Sequence, residues 1–437
     1  MKSKKQILAK DKKFLWHPFT QSSFSEDPII ISSAKDEKLF DIEGKEYIDL
    51  ISSWWINTHG HCRNEMVNSV FNQSKKFEQV LFAGFTHHPA VDLAARIVDI
   101  LPKNLSRVFY SDNGSTSVEI AMKVAIQYWH NLGKKKTKFV AFSGGYHGDT
   151  FGAMSVGKTT GFYKPFEDIL HKNSFIPFPE DWWGNNQLEE SERLAMNAAY
   201  KIVEKEKGKI AAVILEPLVQ GAGGMKICRK EFLDKLVKMF KDQGILVIFD
   251  EVMTGFGRTG KMFATDHLTM KPDIICLAKS LTGGFIPLAA TVFSEEIHKV
   301  FVDTNFNKTF LHGHSFSANP VACAAALSSL NLFNEDKTFT KIEEISKIHN
   351  DCLKKISKLQ NISKIRKLGT IAAFDILIGN NSSYLNNIGK KIKALSIKKG
   401  LFIRPLGNVI YLLPPLCITE KQLAKSYNII FDILSEL

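Results

Sequence analysis

Lys271–Gly284 reads KPDIICLAKSLTGG. The apolar run Ile274–Ala278 has the length and composition of a buried strand. Lys279 follows it directly, and a small glycine-rich turn follows Lys279. A lysine at the end of such a strand can carry its head out to water along an apolar stem. Alternatively its amine sits in a pocket, where desolvation lowers its pKa and makes it a nucleophile. The rest of the chain decides between the two.

From about residue 90 to residue 300, short apolar runs alternate with longer helical patterns. Strands are predicted over RVFYS (Arg107–Ser111), KFVAF (Lys138–Phe142), AAVIL (Ala211–Leu215), LVIF (Leu246–Phe249), Ile274–Leu277 and Leu288–Phe293. This alternation predicts an α/β fold with a mostly parallel sheet covered by helices. Several runs end in polar or glycine-rich loops: SDNGS, SGGYHGD, EPLVQGAGG, DEVMTGFGRTG and AKSLTGG. Ligands bind beyond the carboxyl ends of strands in open α/β sheets, so these loops form one candidate site edge, and Lys279 belongs to it.

The flanks differ. DEKLFDIEGKEYIDL, within the first 60 residues, predicts a hairpin turning at EGK. Lys341–Lys367 predicts a helix with Ile342, Ile345, Ile348, Ile356 and Leu359 on one side, and IAAFDI and NVIYLLPPL read as short strands. The expected organisation is a large domain over 61–330 and a smaller α+β domain built from both chain ends, 1–60 and 331–437.

The 437 residues are 44% hydrophobic and 23% charged, a globular balance with ample core material. No apolar run reaches the length of a membrane span. The lysine-rich N-terminus lacks an apolar segment and cleavage site of the secretory kind. Six scattered cysteines without a CxxC pair predict reduced thiols in the cytoplasm. The net charge of +12 predicts a basic surface able to attract anionic ligands. No nucleic-acid-reading motif accompanies it. His59, His61, His87 and His88 have no metal-ligand spacing, so no metal is expected.

Three features join Lys279. Ser111–Thr116 (SDNGST) runs from a strand end into a helical pattern, where free N–H groups and the helix dipole suit a phosphate, and Gly114 allows close approach. An ordinary helix cap would look the same. Asp250 ends the apolar strand ILVIF; a buried carboxylate needs a cationic or hydrogen-bonding partner, and a protonated pyridine nitrogen would serve. A structural ion pair would serve too. Asp250 and Lys279 lie one β-α-β unit apart, which places both at the same sheet edge. With the aromatic Tyr146 of GGYHGD, these residues describe a site for pyridoxal phosphate attached covalently through Lys279.

FDEVMTGFGRTG followed by PDIICLAKSLTGG resembles the signature of the class III pyridoxal-phosphate aminotransferases, of fold type I. WHPFTQ (Trp16–Gln21), SSWWINTHGH (Ser52–His61), GGYHGDTFGAMSVG (Gly144–Gly157), EPLVQGAGGM (Glu216–Met225), HGHSFSANPVACAAA (His312–Ala326) and IRPLGNVIYLLPP (Ile403–Pro415) resemble the branch that works in biotin synthesis. The resemblance implies 8-amino-7-oxononanoate as amino acceptor and S-adenosylmethionine as donor. It implies catalytic roles for Lys279, Asp250 and Tyr146, and phosphate contacts from Gly114 and Ser115. His314 and Ser315 would contribute from a second subunit, making a homodimer with shared sites. Phe19, Trp54, Tyr146, Gly313 and Arg404 would shape the substrate site. Arg258 is a further pocket candidate, and Glu216 and Gln220 are expected near the cofactor. Two positions depart from the family pattern. His314-Ser315 stands where a Pro-Thr pair is common. WHPFT stands where S-adenosylmethionine users read WHPYT, and some relatives with phenylalanine there take lysine as donor. Another ω-aminotransferase, acting on ornithine or 4-aminobutyrate, would share the cofactor residues. A non-catalytic protein on this fold would have no need of Lys279 and Asp250 together.

Overall fold

The computed structural model describes residues 3–23, 25–157, 163–335, 337–377 and 387–437. Its centre is a seven-stranded sheet in the spatial order Leu105–Ser111, Ala289–Ser294, Ile274–Leu277, Leu246–Asp250, Ile210–Leu215, Lys138–Phe142, Ser174–Ile176. Ala289–Ser294 runs antiparallel to both neighbours, and the other pairings are parallel. The central strands are buried along almost their whole length, as in IAAVIL and IICL, because helices cover both sheet faces. Gly114–Asn131 is one of these helices. Its buried Val118, Ile120, Ala121, Val124 and Ala125 share a core with Ile214, Ile248, Ile274 and Cys276 of the sheet. The mostly parallel sheet of fold type I expected from the sequence is therefore present.

Of the six predicted strands, Lys138–Phe142 and Ile274–Leu277 match in full and the other four match to within a residue or two at their ends. Ser174–Ile176 has no counterpart among the predictions: at three residues, paired only to Lys138–Phe142 at the sheet edge, it is too short to leave a period-2 pattern.

The hairpin at the N-terminal end is formed by Lys38–Asp41 and Glu46–Asp49, antiparallel to each other. Ile31–Lys35 joins on one side and Leu401–Phe402, from the far end of the chain, pairs parallel with Glu46–Asp49 on the other. A three-stranded antiparallel sheet links Ile362–Leu368, Ile371–Ile376 and Val409–Leu412.

The long helix expected over Lys341–Lys367 is corrected. The helix is Thr338–Ile356, and Ile362–Leu368 is a strand. Ile342, Ile345, Ile348 and Ile356 do face the core. Beyond them, strand Ile371–Ile376 offers a row of backbone partners that outweighs the local helical spacing. Gly369, at φ 57°, closes the hairpin between these two strands. A Cβ there would stand 2.3 Å from the backbone nitrogen of Gly260, so the close approach to the GFGRTG loop requires glycine.

Candidate active site

Asp250 is the last residue of its strand and pairs across the parallel ladder with Cys276, three residues before Lys279. The ladder thus delivers both side chains to one cavity of about 630 Å³, a size suited to a cofactor with a substrate. The chain leaves the strand after Leu277 and bends sharply, with Lys279 itself in the left-handed region at φ 43°. That bend turns the amine into the cavity, where its Nζ lies 5.4 Å from the centre of the Trp55 ring. Burial holds the Lys279 pKa below its ordinary value, although the Asp250 and Glu216 carboxylates pull the other way. A depressed pKa leaves more of the amine unprotonated and able to attack a carbonyl or accept a proton.

Asp250 is only 5% exposed. His147 Nδ1 lies 2.7 Å from its Oδ2, and Val252 N donates to its Oδ1 at 3.1 Å. Burial works against charge on His147, but the bond to Asp250 and the fields of Asp250 and Glu216 outweigh it, so its pKa is raised. Glu216 lines the same cavity and accepts from the backbone nitrogens of Tyr146 and Gly221, both at 3.0 Å. Burial pushes its carboxyl up to about 7. The Tyr146 ring lines the cavity with its hydroxyl pKa raised, by burial first and by the Asp149 carboxylate second.

Gly114 and Ser115 open the helix Gly114–Asn131, and their N–H groups, like all in a first turn, have no intrahelical acceptor. The Asn113 side chain caps the helix by accepting from Thr116 N at 3.1 Å. At Gly114 a Cβ would meet Val252 Cγ1 at 2.6 Å, so the helix start is pressed against the loop leaving Asp250. Ser115 Oγ is 2.7 Å from Thr150 Oγ1, which in turn donates to Glu119 at 2.5 Å.

These surfaces suit pyridoxal phosphate. The helix start offers N–H donors to a phosphate, Asp250 offers a buried anion to a ring nitrogen, and Lys279 offers an amine to an aldehyde. The residues present therefore fit the cofactor.

Other expected residues stand apart from this cavity. Trp54 is not in the lining; Trp55, its neighbour, is. Trp54 instead stacks on Arg404, with the guanidinium carbon 3.8 Å from the ring centre, and meets Phe19 edge-on at 5.6 Å. Phe19 remains 52% exposed. Gly313, His314 and Ser315 lie on a partly exposed loop, where Ser315 O accepts from Gln79 and His314 Nε2 is 3.9 Å from Asp112. Arg258 is buried beside backbone carbonyls. Its guanidinium donates to the carbonyls of Pro414, Trp55 and Asn57, and it is fully buried outside the lining. Gln220 is likewise buried outside the lining, bonded to Ser143 O. The GGYHGD loop is legible in the sequence, but nothing local in it marks His147 as the partner of Asp250.

Known proteins resemble this chain along its whole length. Adenosylmethionine-8-amino-7-oxononanoate aminotransferase of Synechococcus elongatus is 46% identical over 423 residues, covering 97% of this chain and 99% of its own. The protein of that name from Helicobacter pylori is 37% identical, covering 100% and 99%. The crystal structure of the Methanocaldococcus jannaschii protein of that name superposes with a TM-score of 0.93 at 35% identity, covering 99% of both chains. An omega transaminase of Pseudomonas jessenii, solved in complex with PMP, superposes at 0.92 with 26% identity, covering 98% of both chains. The family described as Aminotransferase class-III matches residues 21–434, a span that contains every element lining the cavity. This chain belongs to the class III aminotransferases, which work with pyridoxal phosphate.

Proposed function

We propose that this enzyme moves an amino group from S-adenosylmethionine to 8-amino-7-oxononanoate, giving 7,8-diaminononanoate for biotin synthesis. The observation that carries the reading is the convergence, in one cavity, of a lysine amine of depressed pKa, a buried carboxylate bonded to histidine, and an open helix N-terminus. The names of the relatives supply the substrates.

Pyridoxal phosphate, when bound, supplies the carbonyl that receives nitrogen and a ring that stores an electron pair. Lys279 would anchor it through its amine and would hold or move a proton at the reacting carbon. Asp250 holds the ring nitrogen protonated, with His147 fixing the carboxylate. Gly114 and Ser115 bind the phosphate through the helix start, and Tyr146 flanks the ring. His314 and Ser315 complete the phosphate site of a second copy, which makes the enzyme a homodimer; their exposed loop is consistent with that use. Gly313 of the same loop, with Phe19, Trp54 and Arg404, forms the substrate surface. The Arg404 guanidinium provides a fork for a carboxylate, and the two rings provide faces for an adenine or a sulfonium. The two half-reactions share one site, so kinetics are ping-pong. The cytoplasm, where the six unpaired thiols stay reduced, is its compartment.

Phe19 favours one second reading, the same acceptor with lysine as donor, because it lacks a hydroxyl to bond the nucleoside. Mixing the loaded enzyme with each amine separately and following the cofactor band to its amino form decides the donor. Conversion by S-adenosylmethionine and not by lysine is expected. Conversion by lysine alone would transfer the donor role. Failure of the aminated enzyme to act on the oxononanoate would overturn the acceptor.

A further inference from the structure

Ser52, Ser53, Trp54 and Trp55 are four consecutive non-glycine residues with positive φ, at 49°, 58°, 155° and 68°. Such a run is disfavoured for side-chain-bearing residues and persists only where its surroundings hold it. It also has a clear effect: it sends two successive tryptophans to different places, Trp55 to the cavity beside Lys279 and Trp54 onto Arg404.

The holding groups are on both sides of the turn. Asp49, fully buried at the end of its strand, accepts from Ile51 N at 3.2 Å and from Ser53 Oγ at 2.8 Å. Its Oδ2 also lies 3.1 Å from His61 Nε2. His61 is fixed in turn by Asn57 Nδ2, 2.9 Å from its Nδ1. Ser53 Oγ and Asp49 meet the same nitrogen of His61, and the hydroxyl already donates to the carboxylate. A hydrolytic triad needs acid and serine on opposite nitrogens of the ring, so this cluster is a fastening and not a nucleophile. From the other side, the buried Arg258 donates to the carbonyls of Trp55 and Asn57. Ser52 Oγ donates to Leu413 O at 2.7 Å, and Trp55 Nε1 donates to Tyr411 Oη at 3.0 Å.

We propose that Asp49 is a positioning residue for substrate recognition: through Ser53 and His61 it latches the strained turn that places Trp54 over Arg404 and Trp55 in the cavity. The proposal rests on the function proposed above. Neither Asp49, Ser53 nor His61 lines the cavity, so their effect on substrate passes through the tryptophans.

Ser53→Ala and Asp49→Asn test it, by steady-state kinetics and by cofactor content. Releasing the latch is expected to raise KM for the oxononanoate about tenfold, the scale of one lost hydrogen bond, with kcat and bound cofactor held within about twofold of wild type. An unchanged KM in Ser53→Ala would overturn the proposal, and so would parallel loss of kcat and cofactor, which marks a role in folding alone. Should Asp49→Asn fail to fold, Ser53→Ala decides. Should wild type itself not act on the oxononanoate, the functional reading fails and the latch is read from Trp54. The share of acrylamide quenching that Trp54→Phe removes is then expected to rise in Ser53→Ala, and an unchanged share would overturn the latch.

Discussion

At the scale of the residue, the cavity gathers groups held away from their ordinary protonation. Lys279 is pushed towards the free amine and His147 towards the cation, both beside Asp250. The sign of the His147 shift has a consequence for stability. A pKa raised in the folded state adds stability that is full below the unfolded value of about 6.5 and fades as pH climbs through the folded one. The melting temperature of cofactor-free wild type should therefore exceed that of His147→Gln most near about pH 6, and the gap should narrow towards about pH 9. Differential scanning fluorimetry across that range reads the effect; a gap independent of pH would mean that His147 stays neutral beside Asp250. The identity of this partner was hidden in the sequence because His147 and Asp250 are 103 residues apart, and nothing local couples them.

At the scale of the element, the site depends on where one helix starts. Gly114 lets the helix Gly114–Asn131 begin against Val252, in the loop that leaves Asp250. Gly114→Ala would drive its Cβ to 2.6 Å from Val252 Cγ1, moving the first-turn N–H groups off their positions. Overpacking of this kind costs about 1–3 kcal/mol, or roughly tenfold to hundredfold in cofactor affinity. Absorbance titration with pyridoxal phosphate measures it. Since the obstacle is a valine side chain and not backbone, Gly114→Ala with Val252→Ala should recover most of the loss. No recovery would place the defect in the glycine backbone itself. The SDNGST pattern announced this helix start from the sequence, because caps and first-turn residues are local signals. The split of Lys341–Lys367 into helix and strand was not announced, because the strand exists only through its pairing with Ile371–Ile376.

At the scale of the whole molecule, the proposed homodimer would bring a second copy's loop to each site. The loop carrying Gly313, His314 and Ser315 is partly exposed and outside the cavity lining, while large apolar side chains nearby, Leu311 at 70% and Phe316 at 63%, are open. If that loop serves a second copy, mixed dimers of Lys279→Ala and Ser315→Ala chains contain one site with both lesions and one with neither. The mixed dimer itself should keep about half the activity of wild type, well above either parent. Activity no higher than that of the parents would place the Ser315 contact within one chain.

Fold type, cofactor and the pair Asp250–Lys279 could all be read from the chain alone. Each depends on a short signal: an apolar run, a polar residue at its carboxyl end, a glycine-rich loop. Parallel strands then carry such ends to one edge whatever the details of packing. Side-chain direction is another matter. SSWW could not reveal that Trp55 meets Lys279, because the outcome hangs on four positive φ angles in a turn whose carbonyls at Trp55 and Asn57 are held by the Arg258 guanidinium, 203 and 201 positions away. Nor could GFGRTG reveal which carbonyls the Arg258 guanidinium meets, since its partners include a residue 156 positions away. Local pattern sets where a residue enters the fold, and long-range packing sets what its side chain touches.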